Sequence, residues 1–263
     1  MLINPRAKRL LILGGTGEAA ELAATIKTIP ELTELEVIVS LAGRTQQPLQ
    51  DNHRIGGFGG VQGLISYLQT SLIEILIDAT HPFAAQISHH AHLAATTVKI
   101  PHLMLVRPEW VKIAGDNWIE VTSQAMAVET LLELRENGLA QRIFLTIGRQ
   151  ELATYAHLQN HWFLMRMIDP PLEHTPVPPG EILLDRGPFS LSRERSLLLQ
   201  YQIEAIVSKN SGGDATYGKI IAARELGLPV MMVQRPPIQT GEQVHNIAGA
   251  IAWLINWAKI AGY

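Results

Sequence analysis

Leu10-Leu-Ile-Leu13-Gly14-Gly15-Thr16-Gly17-Glu18-Ala19-Ala20-Glu21-Leu22 runs four apolar residues into three glycines within four positions, and a helical pattern starts at Glu18. An uninterrupted apolar run that ends in glycine reads as a strand buried on both faces of a parallel sheet. The phasing Gly15-x-Gly17-x-x-Ala20 fits the dinucleotide fingerprint. Its first glycine permits the tight turn, the second lets a pyrophosphate approach the backbone, and the small third residue brings helix against strand. The helix then offers unpaired N–H groups and the positive end of its dipole to phosphates. Gly14, Gly15, Thr16, Gly17, Glu18 and Ala19 are therefore candidate cofactor-binding residues, a plain tight turn being the alternative.

Working outward, Leu35-Glu-Val-Ile-Val-Ser40 reads as the second strand, after a helix over 18–27. Sites that prefer NAD usually end this strand in an acid that bonds the ribose. Here it ends Ser40-Leu-Ala-Gly43-Arg44-Thr45, with no acid and one arginine. Arg44 suits a 2′-phosphate, so Ser40 and Arg44 join the cofactor set and the motif leans to NADP. A solvated loop charge is the plainer account of Arg44. Next, Arg54-Ile-Gly56-Gly57-Phe58-Gly59-Gly60 surrounds an aromatic with four glycines. Such a loop is a flexible connector or a place where ligand meets backbone. The second reading makes Gly57, Phe58 and Gly59 candidates. A helix over 61–70 leads to the strand Ile73-Glu-Ile-Leu-Ile-Asp78, which runs into Ala79-Thr80-His81-Pro82-Phe83-Ala84. Pro82 suits the first turn of a helix, with Thr80 or His81 as its cap. Thr80 is a cofactor candidate and His81 a ligand or capping candidate. With a fourth strand expected over 102–106, a strand order 2-1-3-4 would set the ends at Leu13 and Asp78 side by side. His89-His90-x-His92 invites a metal reading, but no nearby acid or cysteine completes a ligand set, and no metal is expected.

The pattern restarts near Gly115, which divides the chain into domains 1–114 and 115–263. In the second, strands are expected at 118–121, 142–146, 162–166, 181–184, 204–208 and 229–233. Helices fall between them, including 123–137 and 215–226. A last helix carries Val244, Ile247, Ile251, Leu254, Ile255 and Ala258 as one apolar stripe. Strands alternating with helices argue for α/β architecture with mainly parallel sheets in both halves. Three strand ends pair a glycine with a cation: Gly148-Arg149, Arg186-Gly187, and Lys209-Asn210-Ser211-Gly212-Gly213. Lys219 sits early in the following helix, where a cation opposes the dipole. A parallel sheet gathers such ends along one edge. Together they would suit a substrate bearing several carboxylates or phosphates. Singly, each reads as solvated loop charge.

The composition is compatible with this and excludes other classes. The chain has 263 residues, 47% of them apolar and 17% charged, a net charge of −3 and no cysteine. Disulfide, thiolate and cysteine–metal chemistry are thereby excluded. Nothing in the charge balance suggests nucleic acid or a membrane surface, and no apolar run is long enough to span a bilayer. A cytoplasmic monomer is the expectation.

Gly14-Gly-Thr-Gly-Glu-Ala19, Gly56-Gly-Phe-Gly-Gly60, Asp78-Ala-Thr-His-Pro-Phe-Ala84, Thr146-Ile-Gly-Arg149, Arg186-Gly-Pro-Phe189 and Ser208-Lys-Asn-Ser-Gly-Gly213 occur in this order. Together they resemble the precorrin-6A reductase family of cobalamin biosynthesis, over nearly the whole chain. The resemblance implies NADPH-dependent reduction of one double bond in a tetrapyrrole-derived macrocycle with many carboxylates. It also implies two Rossmann-like domains with the active site between them, NADPH on the first and the macrocycle on the second. Arg149, Arg186, Lys209, Asn210, Ser211, Gly212, Gly213, Lys219 and His81 become substrate-binding candidates. His81, the one histidine inside a resembling motif, is the candidate proton donor, with water or the substrate's own carboxyl groups as the alternative. Whether the ring carries cobalt stays open. A short-chain dehydrogenase would share the glycine turn but normally carries Tyr-x-x-x-Lys, which is absent here. An NADPH-sensing regulator would share the first domain without needing cations in the second.

Overall fold

A computed structural model describes residues 8–41, 53–237 and 240–260. They form two compact units, one of 1–107 with 236–263 and the other of 108–235. The first begins with β1 (Lys8–Leu13), α1 (Gly17–Ile26), a 3₁₀ turn at Pro30–Leu32, β2 (Leu35–Leu41) and β3 (His53–Ile55). It continues through α2 (Gly60–Thr70), β4 (Ile73–Asp78), α3 (Ala85–Val98) and β5 (His102–Leu105). The second unit holds β6 (Trp118–Val121), α4 (Gln124–Glu136), β7 (Arg142–Thr146), α5 (Leu152–Tyr155), β8 (Trp162–Met167) and β9 (Gly180–Leu184). It ends with α6 (Leu191–Gln200), β10 (Ala205–Lys209), α7 (Gly218–Glu225) and β11 (Val230–Val233). The chain then returns to the first unit with β12 (Glu242–Val244) and α8 (Ile247–Ile260).

The first sheet runs β12-β5-β4-β1-β2-β3, every pair parallel. Its middle has the expected order, with β4 and β2 on either side of β1. Alternation along β1 splits the core. Leu10 and Ile12 pack with Leu22 and Ile26 of α1 and Leu254 of α8. Leu11 and Leu13 pack with Leu64 and Leu68 of α2 and Ala91, Ala94 and Ala95 of α3. Burying one such aliphatic side chain contributes roughly 1.5–3 kcal/mol, so a strand apolar on both faces is stable only between two helical layers. The second sheet runs β6-β11-β10-β7-β8-β9, again all parallel. Phe144, Leu164, Ile206 and Met232 face Leu198 of α6 and Ile220 of α7. α4 packs against β6 and β11.

The division expected at 114/115 needs correction. The first unit ends at Arg107, and 236–263 belong to it rather than to the second. The physical reason is β12: Glu242, Gln243 and Val244 pair with Leu103, Met104 and Leu105 and sew the C-terminal segment into the first sheet. Val244, expected at the head of the last helix, is therefore a strand residue. The helix starts at Ile247, with the Asn246 side chain accepting the Gly249 N–H at 2.8 Å. Among the described residues, no helix is long and apolar enough to cross a membrane.

Candidate active site

In a parallel sheet all carboxyl-terminal strand ends lie along one edge, and in the first unit most of the candidate residues follow such ends. The Gly14 N–H donates to the Ser40 carbonyl at 2.9 Å, carrying the β1–β2 ladder into the turn. Gly15 has φ +105°, a conformation that only glycine adopts without strain. Thr16 caps α1: its hydroxyl oxygen accepts the Ala19 N–H at 3.1 Å, and its O–H donates to the Ala79 carbonyl at 2.7 Å. One side chain thus ties the start of α1 to the end of β4.

The glycines divide by role. A Cβ at Gly15 or Gly17 would meet nothing within 4 Å, so their backbone faces open space. A Cβ at Gly14 would lie 3.1 Å from Val39 Cγ1 and 3.3 Å from Ala19 Cβ. The close helix–strand packing assigned to Ala20 is thus made by Gly14 against Ala19, which is buried, while Ala20 is exposed. With Thr16 as cap and Gly17 as first helical residue, position 19 is the one that turns to the sheet. Gly14 and Ala19 shape the turn from inside. Glu18 is held by Arg107, whose Nη1 lies 2.8 Å from both carboxylate oxygens.

The loop after β3 is organised by Arg54. Its guanidinium donates to the Gly56 carbonyl, to the Gly57 carbonyl at 2.8 Å and to Ser40 Oγ at 3.3 Å, and it lies 3.8 Å over the Phe58 ring. Phe58 meets Tyr67 edge-on at 5.3 Å. A Cβ at Gly57 or Gly59 would enter open space, whereas one at Gly63 would overlap the Phe58 carbonyl. Arg44 lies outside the described residues.

At the end of β4, Asp78 is only 4% exposed, and its Oδ1 accepts the Thr80 N–H at 3.0 Å and the Thr80 hydroxyl at 2.6 Å. His81 Nδ1 accepts the Phe83 N–H at 3.2 Å, so the neutral ring carries its proton on Nε2. Pro82 does not open a helix as expected. The Ala84 N–H closes a turn onto the His81 carbonyl at 2.7 Å, and α3 starts at Ala85. Asp78, Thr80, His81, Ser88, Met104 and Pro237 are among the residues lining a recess of about 30 Å³.

In the second unit the cation-bearing loops share the carboxyl edge. Lys209 Nζ lies 3.6 Å from Glu151, just beyond Arg149, whose Nη1 donates to the Pro170 carbonyl at 2.9 Å. Arg186 is exposed after β9, two strands from β7. Gly148 has φ +79° with open space above it. The loop after β10 is tied from below. Asn210 is buried, accepting the Trp110 N–H at 2.9 Å and donating to the Trp110 carbonyl at 3.1 Å. The guanidinium of Arg235 donates to the carbonyls of Asn210, Ser211 and Pro108 at 2.8, 3.0 and 3.2 Å. Trp110 Nε1 donates to the Gly213 carbonyl at 2.8 Å. Lys219 is 3% exposed, with Nζ donating to the Thr216 carbonyl at 3.0 Å and lying 4.7 Å over the Trp110 ring. Asn210 and Lys219 were candidates to touch substrate; here both are built into the loop's foundation. Asp78, Arg54, Arg107 and Arg235 were not singled out. Asp78 and Arg54 stand as charges inside strand-end and glycine motifs, but their mixed partners, backbone groups together with the Thr80 and Ser40 hydroxyls, are not revealed by spacing.

Residues 9–255 match the family model described as "Precorrin-6x reductase CbiJ/CobK". The chain belongs to the precorrin-6x reductase family. A precorrin-6A reductase of Rhodococcus erythropolis is 46% identical over 249 residues, covering 94% of this chain and 97% of that one. A cobalt-precorrin-6A reductase of Priestia megaterium is 27% identical, covering 95% and 99%. A solved CobK precorrin-6A reductase superposes with a TM-score of 0.85 at 39% identity, covering 95% of this chain and 96% of that one. Two parallel six-stranded sheets clad in helices are therefore the architecture of a precorrin-6x reductase.

Proposed function

We propose that the chain reduces one ring double bond of metal-free precorrin-6A, with NADPH as reductant, to give precorrin-6B. The observation that carries the cofactor half is the turn after β1. Gly15 and Gly17 expose backbone at the capped start of α1, in the place where a dinucleotide's pyrophosphate needs N–H donors and no side chain. Gly15, Thr16, Gly17 and Glu18 would hold the pyrophosphate end. Ser40 and Arg44 would hold the 2′-phosphate side, and Gly57, Phe58, Gly59 and Thr80 the flanks. NADPH, when bound, supplies the hydride. The protein supplies placement, which accounts for several kcal/mol of barrier reduction in well-oriented systems and up to about 7–11.

Arg149, Arg186 and Lys209 take the macrocycle's carboxylates, and Ser211, Gly212 and Gly213 present the loop backbone beside them. His81, with its proton on Nε2, delivers the proton that the carbon next to the reduced position needs. The choice of the metal-free ring follows the relatives. Five named precorrin-6A reductases are 38–46% identical, against 25–32% for three named for the cobalt form. The test is direct: the purified chain is mixed with NADPH and either precorrin-6A or its cobalt form, and cofactor oxidation is followed. Faster turnover of the metal-free ring is expected. Oxidation with neither ring overturns the proposal, and oxidation of NADH at an equal rate overturns its cofactor half.

A further inference from the structure

A dinucleotide lies across the strand ends of a doubly wound sheet, with its pyrophosphate at the first turn and its two nucleoside halves to either side. In the first unit the strand order fixes the sides: β2 and β3 flank β1 on one, β4 and β5 on the other. The end of β2 is the place for the adenosine half, so the nicotinamide half belongs to the ends of β4 and β5. Neighbouring strands are about 4.8 Å apart, which puts those ends roughly 5–10 Å from the turn after β1. The recess of about 30 Å³ opens there, with room for roughly two water-sized groups. Its lining combines apolar Met104, Val106 and Pro237 with Asp78, Thr80 and Ser88.

Asp78 is the feature that gives this recess a chemistry. Its side chain is almost wholly buried, yet both hydrogen bonds it receives from described residues fall on Oδ1. One of them takes the Thr80 hydroxyl proton. In the 3.3 Å pair of Thr80 Oγ1 with Ser88 Oγ the serine is therefore the donor. Both hydroxyl protons run toward the carboxylate, and Oδ2 is left for the recess. A buried carboxylate oxygen without a donor is unfavourable, and native structures rarely keep such a group without a use. A carboxylate can only accept, so the recess calls for a small group that carries N–H donors. On a nicotinamide ring that group is the primary carboxamide.

We propose that Asp78 Oδ2 accepts an N–H of the nicotinamide carboxamide and so selects an amide at that position of the ring. The inference rests on the NADPH reading of the first unit. Thr80 and Ser88 act through Asp78, as positioning residues. Asp78 would thereby keep the ring from rotating about its ribose bond, which is part of placement.

The test is equilibrium titration of the full chain, without macrocycle, with NADP+ and two analogues. The 3-acetylpyridine form carries a methyl in place of the amide nitrogen, and the nicotinic acid form a carboxylate in place of the amide. The wild type is expected to bind the acetylpyridine form about 10- to 100-fold more weakly than NADP+, the scale of one charge-assisted hydrogen bond. It should bind the acid form more weakly still, because two carboxylates would meet. Asp78→Asn keeps an acceptor for Thr80 and turns an NH2 toward the recess. It should lose the preference for NADP+ over the acetylpyridine form and bind the acid form about tenfold or more tightly than the wild type does. A merely structural role for Asp78 would weaken all three alike. Should Asp78→Asn lose its fold by circular dichroism, the wild-type series decides alone. Failure of the wild type to bind NADP+ removes the cofactor reading and this inference together. Binding of NADP+ with equal affinity for the acetylpyridine form, or an Asp78→Asn variant that weakens all three ligands equally, overturns the inference and leaves the cofactor reading standing.

Discussion

The turn at Gly14–Gly17 and the loop at Lys209–Gly213 both follow an inner strand of an all-parallel sheet, and both are glycine-rich, yet they are built in opposite ways. The first is held by backbone and one threonine, and two of its glycines face open space. The second is held by three side chains from below, and a Cβ at Gly212 would come within 2.0 Å of the Pro108 carbonyl. Glycine in the first turn leaves room for a ligand; Gly212 leaves room for the protein's own backbone. Substitutions should therefore damage binding in one loop and folding in the other.

The largest expected effect is on stability, at Asn210. Asn210→Ala strips the partners from the Trp110 N–H and carbonyl, and each buried unpaired group costs about 1–3 kcal/mol. A loss of roughly 2–5 kcal/mol in denaturant unfolding is expected. A change below about 0.5 kcal/mol, the range of ordinary surface substitutions, would mean that the two loops do not differ in the way argued.

Gly17→Val should do the reverse. The added side chain enters open space, so the melting temperature should hold, while NADPH affinity falls by about 100-fold or more, since the side chain blocks approach to the backbone. Equilibrium titration with NADPH checks it. Retained affinity would make the turn purely structural. A smaller effect is expected at Arg186, which is exposed after β9. Arg186→Ala should raise KM for the macrocycle by about tenfold or less, with salt weakening substrate binding to the wild type. A KM independent of both salt and Arg186 would remove that loop from the substrate site.

Much of this was legible because apolar runs and glycines punctuate the chain. β4, β6 and β7 fall at 73–78, 118–121 and 142–146 as expected, and the order around β1 follows from which strand ends carry motifs. β3 and β12 were missed because three residues are too few to show a period. Missing β12 displaced the domain boundary, since a strand that returns from far along the chain carries no local mark. The candidate residues were found as motifs, but their roles were not. Gly14 and Gly15 are neighbours with identical side chains, yet one packs and the other faces open space. Asn210 and Lys219 also make structural contacts, to Trp110 and Thr216, that the sequence does not show.

Acidification extends the comparison from the loops to the units, because each unit buries a histidine whose pKa lies below its ordinary value of 6.5. For His102 in the first unit the cause is burial, with Asp78 opposing and His92 reinforcing. For His161 in the second it is burial, with the Leu131 carbonyl opposing and Arg135 reinforcing. Well above pH 6.5 both rings are neutral in folded and unfolded chains, and neither affects stability. As pH falls below that value the unfolded chain binds protons that the fold refuses, so stability declines toward the lowered folded pKa. A single proton gives a slope no steeper than about 1.4 kcal/mol per pH unit. Denaturant unfolding at pH 7.5, 6.5 and 5.5 should therefore show falling stability, in a window kept above the titration of ordinary carboxylates at about 4. His102→Gln should flatten the decline arising in the first unit and leave that of the second. Stability that rises on acidification, or a slope unaltered in His102→Gln, would show that these imidazoles are not held neutral by their burial.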